Sequence, residues 1–280
     1  MKTITTIADM QKQADAFRSG GKRIGFVPTM GFLHEGHLSL MKKAREENDV
    51  VVASIFVNPT QFGPHEDLDR YPRDAEGDAT KCASAGVDVL FLPTASEMYP
   101  EKPSVFVTVK GLCDVLEGEV RPGHFRGVAT VVAKLFHIVK PHRAYFGQKD
   151  YQQCAVVRQM VLGLDLDVEV VVLRTMREID GLAMSSRNSY LDGEQRRKAA
   201  CLYRALRAGE ELVRSGIRDP EEVRRKMRAV MLAEQGVQVD YAEVADPETL
   251  APLGAMQDRV VLLVAANIGS TRLIDNLLVL

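Results

Sequence analysis

Four short apolar runs constrain this chain more than any other feature: "RIGFVPT", "DVVVASIFVN", "VDVLFLP" and "AYFG", all before Tyr151. Each is too short for a stable helix, is rich in Val, Ile or Phe, and does not alternate apolar with polar residues. Each therefore reads as a strand buried on both faces. Helical patterns lie between them. Leu38, Met41 and Ala44 share one helix face, as do Val128, Val131, Leu135 and Ile138 in "GVATVVAKLFHIVK". The succession predicts an α/β fold, a Rossmann-like parallel sheet with helices on both faces, over residues 1–175. Ligands of such sheets bind beyond the carboxyl ends of the strands.

The texture changes from about Ser185. "LDGEQRRKAACLYRALRAGEELVRSG" and "DPEEVRRKMRAVMLAEQG" are charged and helix-favouring, the second with Asp219 as a cap and Pro220 at the first helical position. "VQVDYAEVAD" and "DRVVLLVAANIG" read as strands of a small sheet. A smaller C-terminal α+β domain is expected over residues 176–280.

Charge narrows the partners. Lys plus Arg total 36 against 38 for Asp plus Glu, a net charge of −2. That balance argues against whole-surface binding of nucleic acid or membrane, so any anion must be met by a local site. The N-terminus lacks a continuous apolar stretch, so no signal peptide is read. "VVLLVAANIG" falls well short of the roughly 20 residues that span a bilayer. Cys82, Cys113, Cys154 and Cys201 are widely spaced, with no CxxC pair. Reduced thiols in a cytoplasmic protein are the expectation.

The stretch "FVPTMGFLHEGHLSLMKKA" carries the strongest chemical signal. A strand runs through two glycines and two histidines directly into an amphipathic helix. Helix N-termini expose unpaired N–H groups and about half a positive charge, and so attract phosphate. Gly31 and Gly36 let a ligand approach the backbone closely. His34 and His37 can donate hydrogen bonds to phosphoryl oxygens as charge builds up. "HEGH" lacks the i, i+4 histidine spacing of HExxH and has no apparent third ligand, so a zinc site is not expected.

Three further segments fit a nucleotide and a small polar substrate. "VNPTQFGPHEDLDRYPRD" offers Asn58, Gln61 and Tyr71 in a loop able to present amides or close as a lid. "FGQKDYQQ" offers a glycine turn, Lys149 for phosphate, Asp150 for ribose hydroxyls, and Gln153. "GLAMSSRNSYL" places Ser185, Ser186 and Arg187 together, a set suited to the β- and γ-phosphates. Taken singly, each also fits a loop, a strand end or a helix cap.

Together, "PTMGFLHEGHLSL", "VNPTQFGPHEDLDRYPR", "RPGHFRGVATVV", "FGQKDYQQ" and "DGLAMSSRN" closely resemble the pantoate–β-alanine ligase (pantothenate synthetase) family, over nearly the whole chain. "HEGH" is similar to the HIGH signature of the wider nucleotidyltransferase superfamily, and "MSSRN" to its KMSKS counterpart without the lysines. The resemblance implies condensation of (R)-pantoate with β-alanine, using ATP and magnesium and releasing AMP and diphosphate, by a cytoplasmic homodimer on the way to coenzyme A. It puts ATP on Met30, Gly31, Phe32, Leu33, His34, Glu35, Gly36 and His37, on Gly147, Gln148, Lys149 and Asp150, and on Met176, Met184, Ser185, Ser186 and Arg187. His37, His34, Lys149 and Arg187 take the catalytic roles. Gln61 corresponds to the residue shared by pantoate and β-alanine, and Gln153 to a second pantoate amide; Asn58 and Tyr71 join this substrate group. The metal ligands stay unassigned. Two positions depart from the pattern: relatives usually carry Glu at Gln148 and a β-branched residue at Met176. If Met176 meets adenine through its backbone, both are tolerable.

The implied chemistry suits the residues. A carboxylate needs no base to attack the α-phosphate, so catalysis rests on alignment and charge stabilisation. Two alternatives compete: a nucleotidyltransferase of the same superfamily acting on another small acceptor, and a non-catalytic nucleotide sensor. The Gln61 and Gln153 pair argues against the first. Retention of His34, His37, Lys149 and Arg187 together argues against the second.

Overall fold

The computed structural model describes residues 1–64 and 66–280. His65, inside the "FGPHEDLDRYPRD" segment, lies outside the described residues. The chain divides into two compact units. The first holds Met1–Gly147 and Gln153–Leu173, and the second Gln148–Gln152 and Arg174–Leu280. The short turn after Gly147 thus counts with the second unit, because the Asn276 amide hydrogen-bonds the Gln148 and Lys149 carbonyls.

The first unit runs β1 (Lys2–Ile4), α1 (Ile7–Ser19), β2 (Ile24–Thr29), α2 (Glu35–Glu47), β3 (Val50–Ile55), α3 (Ala75–Ser84), β4 (Val89–Phe91), the single turns α4 (Ala95–Met98) and α5 (Glu117–Val120), α6 (His124–Val139), β5 (Arg143–Gly147), all of α7 (Tyr151–Gly163) but its first two residues, and β6 (Glu169–Leu173). Its strands form one six-stranded sheet in the order β1-β4-β3-β2-β5-β6, every pair parallel. The non-alternating runs are explained by burial on both faces. Val27 joins Met41, Ala44, Cys82 and Leu90 in a core under α2 and α3. Its neighbour Phe26 points the other way, edge-on to Phe136 of α6 with ring centres 6.4 Å apart. From β2 the chain builds outward through β3 and β4, then returns to the other side of β2 for β5 and β6. The carboxyl ends of β2 and β5 therefore flank the switch point where such sheets bind ligands.

The second unit contains α8 (Gly193–Ala199), α9 (Cys201–Arg214), α10 (Pro220–Leu232) and an antiparallel sheet β7 (Val237–Ala245), β8 (Val260–Ile268), β9 (Thr271–Val279). The first charged segment is two helices that meet at Ala200. Asp219 caps α10 by accepting the Glu221 N–H, and Pro220 opens it. Leu202, Leu206, Val223 and Met227 from the helices pack on Leu262, Val264 and Leu273 of the sheet. No helix among the described residues is long and apolar enough to cross a membrane.

Helix α6 touches the turn after β3 without a side chain between them. A Cβ on Gly127 would lie 2.4 Å from the Thr60 carbonyl oxygen and 2.8 Å from Gln61 Cα. Both are backbone atoms that cannot swing aside. Gly127→Ala is expected to destabilise the fold by about 1–3 kcal/mol, as overpacking does, read from the midpoint of urea unfolding.

Candidate active site

At the end of β2, Thr29 Oγ1 donates to the Ser54 carbonyl at 2.8 Å and accepts the Gly31 N–H at 3.2 Å. Gly31 then turns with φ 85° and Phe32 with φ 50°. Phe32 has a Cβ, so this left-handed conformation costs about 1–2 kcal/mol and needs support. Asp78 of α3 supplies it. Its carboxylate, 1% exposed, accepts the Phe32 and Leu33 N–H groups at 2.7 Å each. Lys81 Nζ donates to the Leu33 carbonyl at 2.9 Å. The Leu33 side chain is packed in the core, so only its backbone faces the turn. Glu35 is exposed and pairs with Lys42 at 3.7 Å.

His34 follows as the N-cap of α2 in extended conformation. Its Nδ1 accepts the Gly36 N–H at 3.2 Å, and His37 Nδ1 accepts the His34 N–H at 3.3 Å. This is a reciprocal capping box built from two imidazoles in place of Ser and Glu. The rings lie 4.1 Å apart, centre to centre. With both Nδ1 atoms occupied as acceptors, each neutral ring carries its proton on Nε2. That is the nitrogen able to donate to an oxyanion. The histidines serve as helix caps, a role the spacing alone did not reveal.

Beside this turn lies a neutral amide pair. Asn58 and Gln61, 1% and 7% exposed, are anchored parts of the structure rather than a swinging lid. Asn58 Nδ2 donates to Gln61 Oε1 at 3.1 Å and to the Gly127 carbonyl at 3.2 Å. Its Oδ1 accepts the hydroxyls of Thr60 at 2.9 Å and Tyr99 at 3.1 Å. Gln61 Nε2 meets Met30 Sδ at 3.3 Å, so the amide reaches the turn that leads to the two histidines. A thioether is a weak acceptor, and a substrate oxygen would replace it with gain. Tyr71 is buried edge-on against Phe62, ring centres 5.9 Å apart. Gln153 lies in the first turn of α7, half-buried.

The Gln61 backbone is held from "RPGH". His124 Nδ1–H donates to the Gln61 carbonyl at 2.8 Å, and Arg121 Nη1 donates to His124 Nε2 at 3.1 Å. These partners set a neutral imidazole. Arg121 also grips both oxygens of Glu66, at 2.8 and 2.6 Å. Burial pulls the Glu66 carboxyl up, but hydrogen bonds and charge from Arg121 outweigh it and bring the group below its ordinary value. Burial, aided by the Arg121 charge, pushes His124 down to about 4.

In the second unit, Gln148–Asp150 form a 3₁₀ turn in which Lys149 Nζ reaches Asp150 Oδ1 at 3.3 Å. The 174–190 segment folds back on itself, bridging Arg177 to Ala183, while the Met176 carbonyl accepts the Met184 N–H at 2.9 Å. Ser185 Oγ accepts the Arg187 N–H at 3.3 Å and caps the turn Ser186–Tyr190. Arg196 ties Glu178 and Asp180 together, each at 2.6 Å. The Met176 side chain is 43% exposed. Gln148 spends its carbonyl and its side-chain amide on Asn276.

A parallel α/β sheet whose central strand opens a histidine-capped helix beside buried neutral amides is the arrangement of an α/β enzyme with a helix N-terminus suited to an anion. The family model for pantoate-beta-alanine ligase matches residues 2–278. Relatives include the pantothenate synthetases of Moorella thermoacetica, 54% identical over 99% of this chain and 98% of that protein, and of Thermotoga petrophila, 54% identical over 99% of each. The crystal structure of pantothenate synthetase from Thermus thermophilus superposes with a TM-score of 0.94 at 50% identity, covering 99% of both chains. The pantoate-beta-alanine ligase of Francisella tularensis, complexed with beta-gamma ATP and beta-alanine, matches with a TM-score of 0.82 at 38% identity, over 99% of this chain and 97% of that one. The chain belongs to the pantoate–β-alanine ligase family.

Two residues outside the sequence-derived set thus organise the first unit's site, Asp78 and His124. "RPGH" stood among the familiar motifs without a role, and Asp78 sits inside an ordinary helical pattern. Asp78→Ala leaves two peptide N–H groups without their acceptor and lets Phe32 relax. Single-turnover adenylate formation is expected to fall at least about tenfold, on the scale that small misplacements cost. His124 gives a pH test. Its folded value of about 4 lies below the ordinary 6.5, so protonation favours the unfolded chain. Stability is complete above pH 6.5 and declines as pH falls toward 4, by up to about 3 kcal/mol. Urea unfolding at pH 7 and pH 5 should show about 2 kcal/mol of that loss, and His124→Gln should remove His124's share of it.

Proposed function

We infer that this chain joins pantoate to β-alanine through an amide bond, making pantothenate in two steps at the expense of one ATP. A pantoate carboxylate oxygen first bonds to the α-phosphorus. The bond to the bridging oxygen breaks, pyrophosphate leaves, and pantoyl adenylate remains. The β-alanine amine then attacks the acyl carbon, AMP departs with the C–O electron pair, and the amine nitrogen sheds a proton. The observation that carries this reading is the reciprocal His34–His37 cap, with the Gln61 amide reaching the same turn through Met30.

The roles follow from chemistry. His34 and His37 donate from Nε2 to the oxygens of the α-phosphate, where negative charge grows. Lys149 and Arg187, with the hydroxyls of Ser185 and Ser186, take the departing phosphates. Asp150 reads the ribose, and the backbone around Met176 and Met184 borders the adenine. Gln61 and Gln153 read the hydroxyl and carboxylate of pantoate without adding charge, with Asn58 orienting Gln61. An acceptor that is a phosphate ester would leave that amide pair without a task.

Magnesium belongs to the same proposal. Magnesium typically takes one or two carboxylates, water and substrate phosphates rather than a protein cage. That habit fits a chain whose described residues gather no group of three His, Cys, Asp or Glu side chains able to hold a metal. Asp150 and the Ser185 and Ser186 hydroxyls are the hard donors on hand, and the ion would neutralise phosphate charge. The family resemblance supports a cytoplasmic homodimer.

Exchange of labelled pyrophosphate into ATP tests the scheme. It should proceed with pantoate present and β-alanine absent, and His37→Ala should lower it by about 10²-fold or more, as when one transition-state donor is lost. Exchange strictly dependent on β-alanine would replace the two-step scheme with a concerted one.

A further inference from the structure

The second unit holds a buried polar cluster that the proposed chemistry leaves unused. Strand β9 carries Asp275 and Asn276 through it, 3% and 2% exposed. Polar side chains so buried persist only with their hydrogen bonds made. Asn276 directs both amide hydrogens at one stretch of backbone: Nδ2 donates to the Gln148 and Lys149 carbonyls, 2.9 Å each. Its Oδ1 accepts from Gln148 Nε2 at 3.4 Å. Asp275 receives the fork of Arg177, Nη1 to Oδ2 at 2.6 Å and Nη2 to Oδ1 at 3.0 Å, and accepts the Asn276 N–H at 2.8 Å. Arg177 continues to the Gly181 carbonyl at 3.0 Å and the Asn276 carbonyl at 3.3 Å, its guanidinium 4.1 Å from the centre of the Tyr203 ring.

The two carbonyls that Asn276 grips belong to the peptide planes on either side of the Lys149 Cα. Fixing both planes fixes the direction of the Lys149 Cα–Cβ bond. A lysine stem is otherwise flexible, so the origin and direction of that stem decide where Nζ can reach. The same cluster, through Arg177, holds the start of the 176–187 segment. One patch of β9 therefore secures two segments assigned to ATP.

We propose that Asn276, braced by the Asp275–Arg177 pair, is a positioning residue for adenylate formation, acting through Lys149 and coupling the 148–150 turn to the 176–187 segment. This rests on the assignment of Lys149 to the departing phosphates.

The test is a double-mutant cycle on pantoate-dependent pyrophosphate–ATP exchange, with Asn276→Ala, Lys149→Ala and both together. Asn276→Ala should lower the exchange rate at least about tenfold, on the scale of an ångström-sized misplacement, with the KM for pantoate within about twofold. In the Lys149→Ala background it should cost less than about twofold more, since a residue acting through Lys149 has nothing left to act on. Attack of β-alanine on preformed pantoyl adenylate should survive in Asn276→Ala, which a general loss of structure would not allow. Normal exchange by Asn276→Ala, or equal losses in both backgrounds, would overturn the inference. Normal exchange by Lys149→Ala would instead sink the assignment of Lys149, and the inference with it. Should Asn276→Ala fail to fold, Asn276→Ser, which keeps one donor, is read by the same criteria.

Discussion

Two hydrogen bonds that the buried Asp78 carboxylate accepts from the Phe32 and Leu33 N–H groups hold the first unit's candidate site in shape. They support a non-glycine residue in the left-handed region, a conformation that persists only when its surroundings over-determine it. The turn so held delivers His34 in the extended conformation that an N-cap needs. Only then can its Nδ1 reach the Gly36 amide while His37 reaches back to cap His34. The tautomer of both rings, and so their capacity to donate from Nε2, depends on a carboxylate more than forty residues along the chain.

The substrate side follows the same logic with neutral groups. Gln61 Oε1 is committed to Asn58, and its carbonyl to His124. What stays poorly matched is the Gln61 Nε2 hydrogen facing the Met30 sulfur. A rigid, nearly satisfied frame with one weak contact leaves little ordering to be done if an oxygen-bearing ligand binds there, as proposed. Neutrality also matters. If Gln61 reads pantoate as proposed, a cation in its place would hold the carboxylate too tightly in the ground state and blunt its attack on phosphorus.

The second unit secures its segments differently. The Gln148–Asp150 turn, which runs directly into α7, is pinned by side-chain amide bonds from a β-strand, and the 174–190 segment by Arg177, Asn188 and Arg196. Burial drives the Asp275 carboxyl upward while Arg177 opposes it. Breaking a buried pair by removing one partner is far more damaging than never having built it. That asymmetry makes the Arg177–Asp275 contact a firm brace for Asn276.

Much of the architecture was legible because it is written in local pattern. Non-alternating apolar runs announced β2, β3, β4 and β5, one-face spacing announced α2 and α6, and Asp219–Pro220 announced α10. Strand β1 is three residues long, and β6 is a half-exposed edge. Neither offers a window long enough for a period to register. Strand β9 carries Asp275 and Asn276 in its middle, and only the structure supplies their hydrogen-bond partners. The sequence by itself determined the parallel α/β class, the small C-terminal α+β unit, the family, and the histidine-bearing turn after β2. Those features depend on residue order and on spacings of two to four. Only the tertiary structure decided that Asp78 shapes that turn, that His124 holds Gln61, and that Asn276 holds Lys149. Asn276 and Gln148 are 128 residues apart in sequence, and a hydrogen bond closed over such a distance leaves no periodic trace in the chain.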